Sequence, residues 1–168
     1  PDVRRMVLSM RSQTEAMRAV AYVLAAERDI ASRHPDSSTR RASQSFVDLM
    51  IPIFKGWASE TGIEVTSMSI QVHGGLGYIE ESGVSQPLRD VRVSAIYEGT
   101  TSIQAHDLVE RKLVRDGGAA LRSWLSLIHL TLSQLNSRND ERLRVIERNL
   151  RVAVEALQGA SEWILARY

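Results

Sequence analysis

Apolar residues recur at steps of three and four along most of this chain, which is the spacing that gathers them on one face of an α-helix. The first stripe starts at Val3, includes Met6, Met10 and Met17, and predicts a helix of about nine turns. We assign the three methionines to core packing, because flexible apolar side chains at this spacing fill gaps between helices. The polar residues 30–41 hold a proline and several helix-capping residues, and they predict the first loop.

A second and longer stripe runs from Phe46 to Ile70 and predicts a helix that ends at Gly74. Pro52 lies inside this stripe, at a point where the helix could kink. Half of the ten glycines lie within residues 74–99. We therefore expect loops over that stretch.

The last part of the chain predicts three more helices. Thr100 or Thr101 is a suitable cap for the first of them, which should run to the glycine pair at residues 117–118. Two further stripes follow over residues 121–135 and 143–164, and the second has the alternating spacing of a helix that pairs with a partner. No segment shows the alternation of a sheet strand, so the expected fold is all-α.

Composition and charge exclude several classes of protein. The 168 residues are 43% hydrophobic and 24% charged, which fits a globular domain. The formal net charge of +1 provides no field that would attract nucleic acid or an anionic membrane. Cysteine is absent, which excludes disulfides, thiolate nucleophiles and cysteine-based metal sites. No apolar run approaches a membrane span, and no segment resembles a signal peptide.

Candidate chemistry concentrates in residues 71–104. The glycine-rich residues 74–77 have two interpretations: a loop whose amides cradle a phosphate, or a helix cap followed by a turn. They lack the third glycine of the dinucleotide fingerprint and the lysine of a phosphate-binding P-loop. The residues alone therefore favour the cap and turn.

Charged residues in the same stretch also have two interpretations. Glu98, just before a helix start, is either a base whose pKa is raised by apolar surroundings or an ordinary loop glutamate. Arg89, Asp90 and Arg92 either clamp a phosphate or tie down a loop through ion pairs, and we favour the ion pairs. The four histidines lack metal-ligand spacing, so we expect no metal site.

Three motifs lie in register within this stretch: Gln-Val-His-Gly-Gly-Leu-Gly-Tyr over residues 71–78, Leu-Arg-Asp over 88–90 and Ile-Tyr-Glu-Gly-Thr over 96–100. In order and spacing they resemble the C-terminal signature of the flavin-dependent acyl-CoA dehydrogenases. The resemblance implies the C-terminal four-helix bundle of that family over residues 1–117. Residues 118–168 are similar to the start of an extra helical region of the large bacterial members, a group that includes methylthiopropionyl-CoA dehydrogenases.

The family also has an N-terminal helical domain and a middle β-domain. The chain starts at Pro1 without an initiator methionine and stops at Tyr168 inside a helical pattern. We therefore expect a piece of a longer enzyme, inactive by itself.

The resemblance implies roles for individual residues. Glu98 falls on the catalytic base, which removes a proton beside the thioester while the flavin accepts a hydride. The backbone N–H of Glu98 polarises the thioester carbonyl, and Gly99 lines the thioester pocket. Thr100 and Ser102 fall on positions that contact flavin phosphate or ribose, and Ser102 stands where short-chain and medium-chain members commonly carry glutamine. The positions that contact the FAD of a neighbouring subunit are Gln71, Val72, His73, Gly74 and Gly75.

The same resemblance implies an acyl-CoA substrate, FAD as cofactor, an electron-transferring flavoprotein as partner, a homodimer or homotetramer, and a cytoplasmic location. Two alternatives remain open. An acyl-CoA oxidase of the same fold would pass electrons to oxygen. A helical module without catalysis would use the stripe over residues 143–164 to dimerise, although it would have no use for Glu98.

Overall fold

The computed structural model describes residues 1–138 and 140–168, and every regular element within these two ranges is helical. The α-helices are α1 (Asp2–Arg33), α2 (Ser37–His73), α3 (Gly75–Tyr78), α4 (Ser85–Arg92), α5 (Thr101–His106), α6 (Ala119–Asn136) and α7 (Glu141–Leu165). Two 3₁₀ turns lie at Glu80–Ser82 and Val93–Ala95, and a π-helical segment, Asp107–Val114, follows α5. The predicted all-α fold is confirmed. Within the described ranges, no helix combines the length and hydropathy needed to span a membrane.

The first loop is shorter than predicted. Helix α1 has the expected length, but only residues 34–36 separate it from α2, so the predicted loop over residues 30–41 is wrong in extent. The reason is the cap at Asp36, whose carboxylate accepts hydrogen bonds from the Ser38 hydroxyl at 2.5 Å and the Thr39 N–H at 2.7 Å. These bonds hold the pKa of Asp36 well below its usual range. Helix α2 therefore begins at Ser37.

Helix α2 is central to the first part of the chain, since α1, α4 and α5 all pack against it. The short connection makes α1 and α2 an antiparallel pair. Leu49 of α2 is only 2% exposed, and Met6 of α1 is also buried, whereas Met10 and Met17 are half-buried. Core packing is thus confirmed for Met6 and is partial for the other two methionines. The helix passes through a buried Pro52 and ends at Gly74, as predicted.

Residues 74–99 are more helical than predicted. The expectation of loops is wrong for α4, an eight-residue helix with few apolar positions. Its side chain Val91 approaches α2 so closely that a Cβ on Gly62 would lie 2.9 Å from Val91 Cγ2. Arg89 forms an ion pair with Glu80 at 2.7 Å, which confirms the predicted loop-tying role for Arg89. Packing on α2, which sequence periodicity does not report, stabilises this helix.

The chain divides into two compact units, residues 1–107 and residues 108–168. The division falls before the predicted domain boundary at residues 117–118, which stays a prediction. The helix expected from Thr100 to the glycine pair is present as α5 and the π-helical segment. In the second unit, α6 and α7 pack against each other.

The predicted stripe on α7 is correct only in part. Leu143 and Leu150 are half-buried, but Ile146 is 54% exposed, and the buried positions are Val154 and Ser161. Leu143 and Leu150 are seven residues apart on α7, and a position three or four residues after Leu143 fits helical spacing equally well. The stripe therefore does not determine which of these two sides of the helix faces α6. The buried side includes the polar residues Glu147 and Ser161, which a pattern of apolar residues does not detect.

Candidate functional site

Lys55, in the middle of α2, holds the segment from Ser94 to Thr101, which carries Glu98. The ammonium group of Lys55 donates three hydrogen bonds to main-chain carbonyls. The acceptors belong to Ser94, Tyr97 and Gly99 and lie 2.6, 3.0 and 2.7 Å away. Because an ammonium group has three donors, this set uses its full hydrogen-bonding capacity. Lys55 Nζ also lies 5.9 Å from the centre of the Tyr97 ring.

Two further side chains of α2 hold the same segment. The Ser59 hydroxyl donates to the Ser94 carbonyl at 3.2 Å, and Glu60 accepts a 2.5 Å hydrogen bond from the Thr101 hydroxyl. These two side chains contact the ends of the segment from Ser94 to Thr101, and in these bonds neither contacts the Tyr97 or the Gly99 carbonyl. Lys55 shares the Ser94 carbonyl with Ser59 and also binds the Tyr97 and Gly99 carbonyls between the two ends.

Glu98 has an unusual backbone conformation. Its φ is +54°, and it is the one residue other than glycine with a positive φ in the described ranges. Gly99 follows with a φ of +92°. A left-handed conformation at a residue with a Cβ costs about 1–3 kcal/mol and persists only where its surroundings hold it. The Lys55 hydrogen bonds to the residues before and after Glu98 are such surroundings.

The side chain of Glu98 is exposed, and large apolar side chains near it in the chain are exposed as well. They are Val93, Ile96, Tyr97 and Ile103. On the other side of the turn, a Cβ on Gly99 would lie 2.7 Å from Gln104 Nε2. The positive φ favours glycine at this position, and a Cβ there would also displace the end of the Gln104 side chain. The result is a carboxylate on a tight turn with apolar neighbours.

Thr100 and Ser102 lie directly after this turn. Thr100 is the N-cap of α5, and its hydroxyl lies 3.0 Å from that of Ser102. The prediction that α5 begins at Thr100 or Thr101 is therefore confirmed. Both residues are exposed, and their adjacent hydroxyl groups are of a kind that can bind the oxygen atoms of a phosphate or a ribose.

Residues 71–75 lie at the C-terminal end of α2. Gln71 and His73 are exposed, Val72 is half-buried, and Gly74 ends the helix with a φ of +60°. The Gly74 N–H donates to the Gln71 carbonyl at 3.2 Å. Gly75 is exposed, and a Cβ there would meet nothing within 4 Å. The structure therefore contains the cap and turn that the residues alone favoured, and the phosphate role stays a prediction.

Gly77 explains why this turn is rich in glycine. It is buried, and a Cβ there would lie 2.4 Å from the carbonyl oxygen of Ile70. The turn folds back so closely on the end of α2 that there is no room for a larger residue. The role of Gly77 is close packing.

The structure does not bring the two groups of predicted FAD contacts together. Lys55, which holds the Glu98 segment, and Gln71 are sixteen residues apart on the same helix. At 1.5 Å per residue, this separation is about 24 Å along the helix axis. Glu98, Gly99, Thr100 and Ser102 form one cluster, and residues 71–75 form a second cluster. We call these clusters the Glu98 turn and the α2 end.

Lys55, Ser59 and Glu60 were not predicted from the sequence. A signal was present, since Lys55 and Ser59 lie four residues apart on one face of α2 within an otherwise apolar stripe. Among the described residues, no group of three histidine, aspartate or glutamate side chains could hold a metal ion.

Comparison with known proteins identifies related sequences. Residues 1–113 match the family model described as acyl-CoA dehydrogenase, C-terminal domain. The chain is 43% identical over 148 residues to 3-methylmercaptopropionyl-CoA dehydrogenase of Ruegeria pomeroyi. The aligned region covers 88% of this chain and 25% of that protein. It is 36% identical over 122 residues to the broad-specificity linear acyl-CoA dehydrogenase FadE5 of Mycobacterium tuberculosis, and this aligned region covers 72% of this chain and 20% of that protein.

Another relative is the caffeyl-CoA reductase-Etf complex subunit CarC of Acetobacterium woodii, 34% identical over 99 residues, or 59% of this chain and 23% of that protein. Among solved structures, Bd2924 in its apo form matches with a TM-score of 0.68 at 22% identity, covering 98% of this chain and 33% of that one. The structural match supports the fold alone. The chain spans about a quarter of the length of the first of these relatives.

Proposed function

The chain belongs to the acyl-CoA dehydrogenase family, and from this membership we propose that it is the C-terminal domain of an FAD-dependent enzyme that desaturates acyl-CoA thioesters between the α and β carbons. The observation that supports this proposal most is the Glu98 turn. It presents an exposed carboxylate in a left-handed conformation that Lys55 holds from both sides. Strained, well-held residues of this kind concentrate at functional sites.

In the proposed reaction, the Glu98 carboxylate removes the proton from the carbon next to the thioester. Bound FAD supplies the acceptor for the hydride from the β carbon. The N–H of Glu98 donates a hydrogen bond to the thioester carbonyl, where negative charge develops as the proton leaves. Gly99, which has no side chain, lines the thioester pocket with its main-chain atoms. The exposed apolar side chains near Glu98 exclude water once substrate covers them, which strengthens both interactions.

The same residues fit FAD in two separate places. The adjacent hydroxyls of Thr100 and Ser102 would hold phosphate or ribose oxygens of the cofactor used by Glu98. Residues 71–75 would contact the FAD of a neighbouring subunit through the exposed Gln71 and His73 side chains and the bare backbone of Gly74 and Gly75. The separation along α2, about 16 Å from Glu60 to Gln71 and about 24 Å from Lys55 to Gln71, supports this division between two cofactors. A homodimer or homotetramer follows from it.

We propose that an electron-transferring flavoprotein reoxidises the enzyme, which acts in the cytoplasm. The relative from Acetobacterium woodii is named as a subunit of a reductase-Etf complex, which supports the choice of acceptor. An oxidase of the same fold would instead react with oxygen. Comparing reoxidation by air with reoxidation by an added flavoprotein distinguishes the two enzymes.

The test uses the full-length protein that contains this chain, titrated anaerobically with butyryl-CoA and with 3-methylmercaptopropionyl-CoA while the oxidised flavin absorption is followed. We expect at least one thioester to bleach the flavin. Glu98→Gln should lower the rate of bleaching by about 10²–10⁴-fold, because an amide cannot accept the proton. The matched control is Glu81→Gln, which changes an exposed glutamate of a nearby turn and should leave the rate unchanged.

Three results would contradict the proposal. Bound flavin that no thioester bleaches would point to other flavin chemistry. Bleaching at an unchanged rate in Glu98→Gln would show that Glu98 is not the base. A full-length protein that binds no flavin would favour the helical dimerisation module.

A further inference from the structure

We propose that Lys55 is a positioning residue for the reaction at Glu98: its ammonium group orients and polarises the peptide group before Glu98 and holds the Gly99 carbonyl that follows the turn. This inference rests on the proposed function of Glu98. It concerns a helix residue that no motif of the Glu98 turn includes, and it is carried by three hydrogen bonds of 2.6–3.0 Å.

The first step is the geometry of the peptide group between residues 97 and 98. The carbonyl of Tyr97 and the N–H of Glu98 belong to one planar trans peptide, so they point in opposite directions. Lys55 Nζ lies 3.0 Å from that carbonyl oxygen. The hydrogen bond therefore directs the Glu98 N–H away from Lys55. This N–H is the donor that we assign to the thioester carbonyl.

The second step is electronic. A hydrogen bond from an ammonium ion is charge-assisted and draws electron density towards the accepting carbonyl. The N–H of the same peptide then becomes a stronger donor, because hydrogen bonds in a chain polarise one another. Lys55 thus strengthens the Glu98 N–H as well as aiming it. The positive charge lies one peptide group behind the position where the thioester oxygen becomes negative.

The third step is the conformation of Glu98 itself. Lys55 binds the carbonyl before Glu98 and, at 2.7 Å, the carbonyl of Gly99 after it. These two hydrogen bonds, one before Glu98 and one after it, hold the successive φ values of +54° and +92°. Without them the strained residue would relax towards an ordinary conformation, which would move both its N–H and its carboxylate.

The position of Lys55 is suited to this role. The residue is half-buried on the longest helix of the described chain, and it contacts carbonyl dipoles and the Tyr97 ring. A helix position holds a side chain more accurately than a loop does. The lysine stem therefore supports the ammonium group from the packed side of the turn.

The test measures Lys55→Met in the full-length, FAD-loaded enzyme, because methionine keeps an unbranched stem and removes the charge. We expect flavin reduction to slow by about 10–100-fold, less than the loss of a whole oxyanion donor. Thioester affinity and FAD content should change by less than about threefold, because the hydrogen bond to the thioester oxygen contributes most where negative charge develops in the transition state. The infrared band of a bound thioester with a ¹³C-labelled carbonyl should shift towards its frequency in water.

The matched control is Ser59→Ala. It removes a hydrogen bond to the Ser94 carbonyl, which Lys55 also binds, but leaves the Lys55 hydrogen bonds to the Tyr97 and Gly99 carbonyls in place. It should change neither the flavin reduction rate nor the carbonyl band. If Lys55→Met does not fold with FAD, Lys55→Arg keeps the charge, and its planar fork should still slow reduction because it cannot match three converging acceptors.

The outcomes separate this proposal from the one it rests on. A normal rate and a normal carbonyl band in the lysine variants, beside an inactive Glu98→Gln, would overturn the role of Lys55 alone. An equal loss in Ser59→Ala would also overturn it, because attachment of the segment would then be the cause. An active Glu98→Gln would overturn the proposed function of Glu98 itself.

Discussion

At the scale of single residues, backbone contacts rather than side-chain chemistry explain several glycines of the signature. A Cβ on Gly77 would overlap the backbone of Ile70, and Gly99 has a φ of +92°, whereas a Cβ on Gly75 would meet nothing within 4 Å. The glycine-rich residues 74–77 are therefore a turn that packs on the end of α2. Only Gly74 and Gly75, which are exposed, remain candidates for contact with a cofactor.

We expect Gly77→Ala to lower the free energy of unfolding by about 1–3 kcal/mol, because the new methyl group would overlap the backbone of Ile70. Urea unfolding followed by circular dichroism measures the change. The control is Gly75→Ala, which should stay within about 0.5 kcal/mol of the parent. Equal stability of the two variants would show that the turn adjusts, and the close packing of Gly77 would then be unimportant.

Sequence and structure contribute differently to Glu98 and Lys55. The motif over residues 96–100 was sufficient to select Glu98 as a candidate base. Its left-handed backbone could not be predicted, because the left-handed region is rare for residues other than glycine and depends on external hydrogen bonds. Lys55 was missed because it is about forty residues away along the chain from the carbonyls it binds.

At the scale of elements, periodicity located the long helices but did not identify their neighbours. The stripe on α7 was placed on residues that include Ile146, whereas the side that faces α6 includes Val154. Glu147 lies on the buried side, where its side chain is 15% exposed and pairs with Arg151. Because a charged residue lies on the contact face, a search for apolar residues at helical spacing does not identify that face.

Two valines on α7 test this assignment with the same substitution. Val154 is 4% exposed and Val152 is 62% exposed. Val154→Ala should lower the free energy of unfolding of the second unit by about 1–3 kcal/mol, since it removes buried methyl groups. Val152→Ala should change it by less than about 0.5 kcal/mol. Hydrogen exchange of the α6 and α7 amides would report the difference, and a reversed order of the two effects would place the contact face elsewhere.

At the scale of the whole molecule, much apolar surface is uncovered. Large exposed apolar side chains occur in both compact units of the described chain, on α1, near Glu98, and on α6 and α7. Exposed apolar surface of this extent is typical of protein interaction sites. It agrees with the proposal that the chain acts within a longer, oligomeric enzyme.

We expect the 168-residue chain by itself to lose FAD on gel filtration and to show no dehydrogenation. Its candidate FAD contacts are exposed and lie in two clusters separated by about 16–24 Å along α2, so they do not enclose one flavin ring together. Flavin absorbance per chain measures retention, with the full-length protein as the control. One FAD retained per isolated chain would contradict the proposed division of contacts between subunits.

The sequence by itself determined the all-α fold, the C-terminal end of α2 and the start of α5, because helical periodicity and capping residues act over a few neighbouring positions. It also determined the family, because three motifs occur in register. The tertiary structure decided that α4 forms, which side of α7 is buried, and that Lys55 holds the Glu98 turn. These features depend on contacts between segments distant along the chain, and local patterns carry no information about which segments meet.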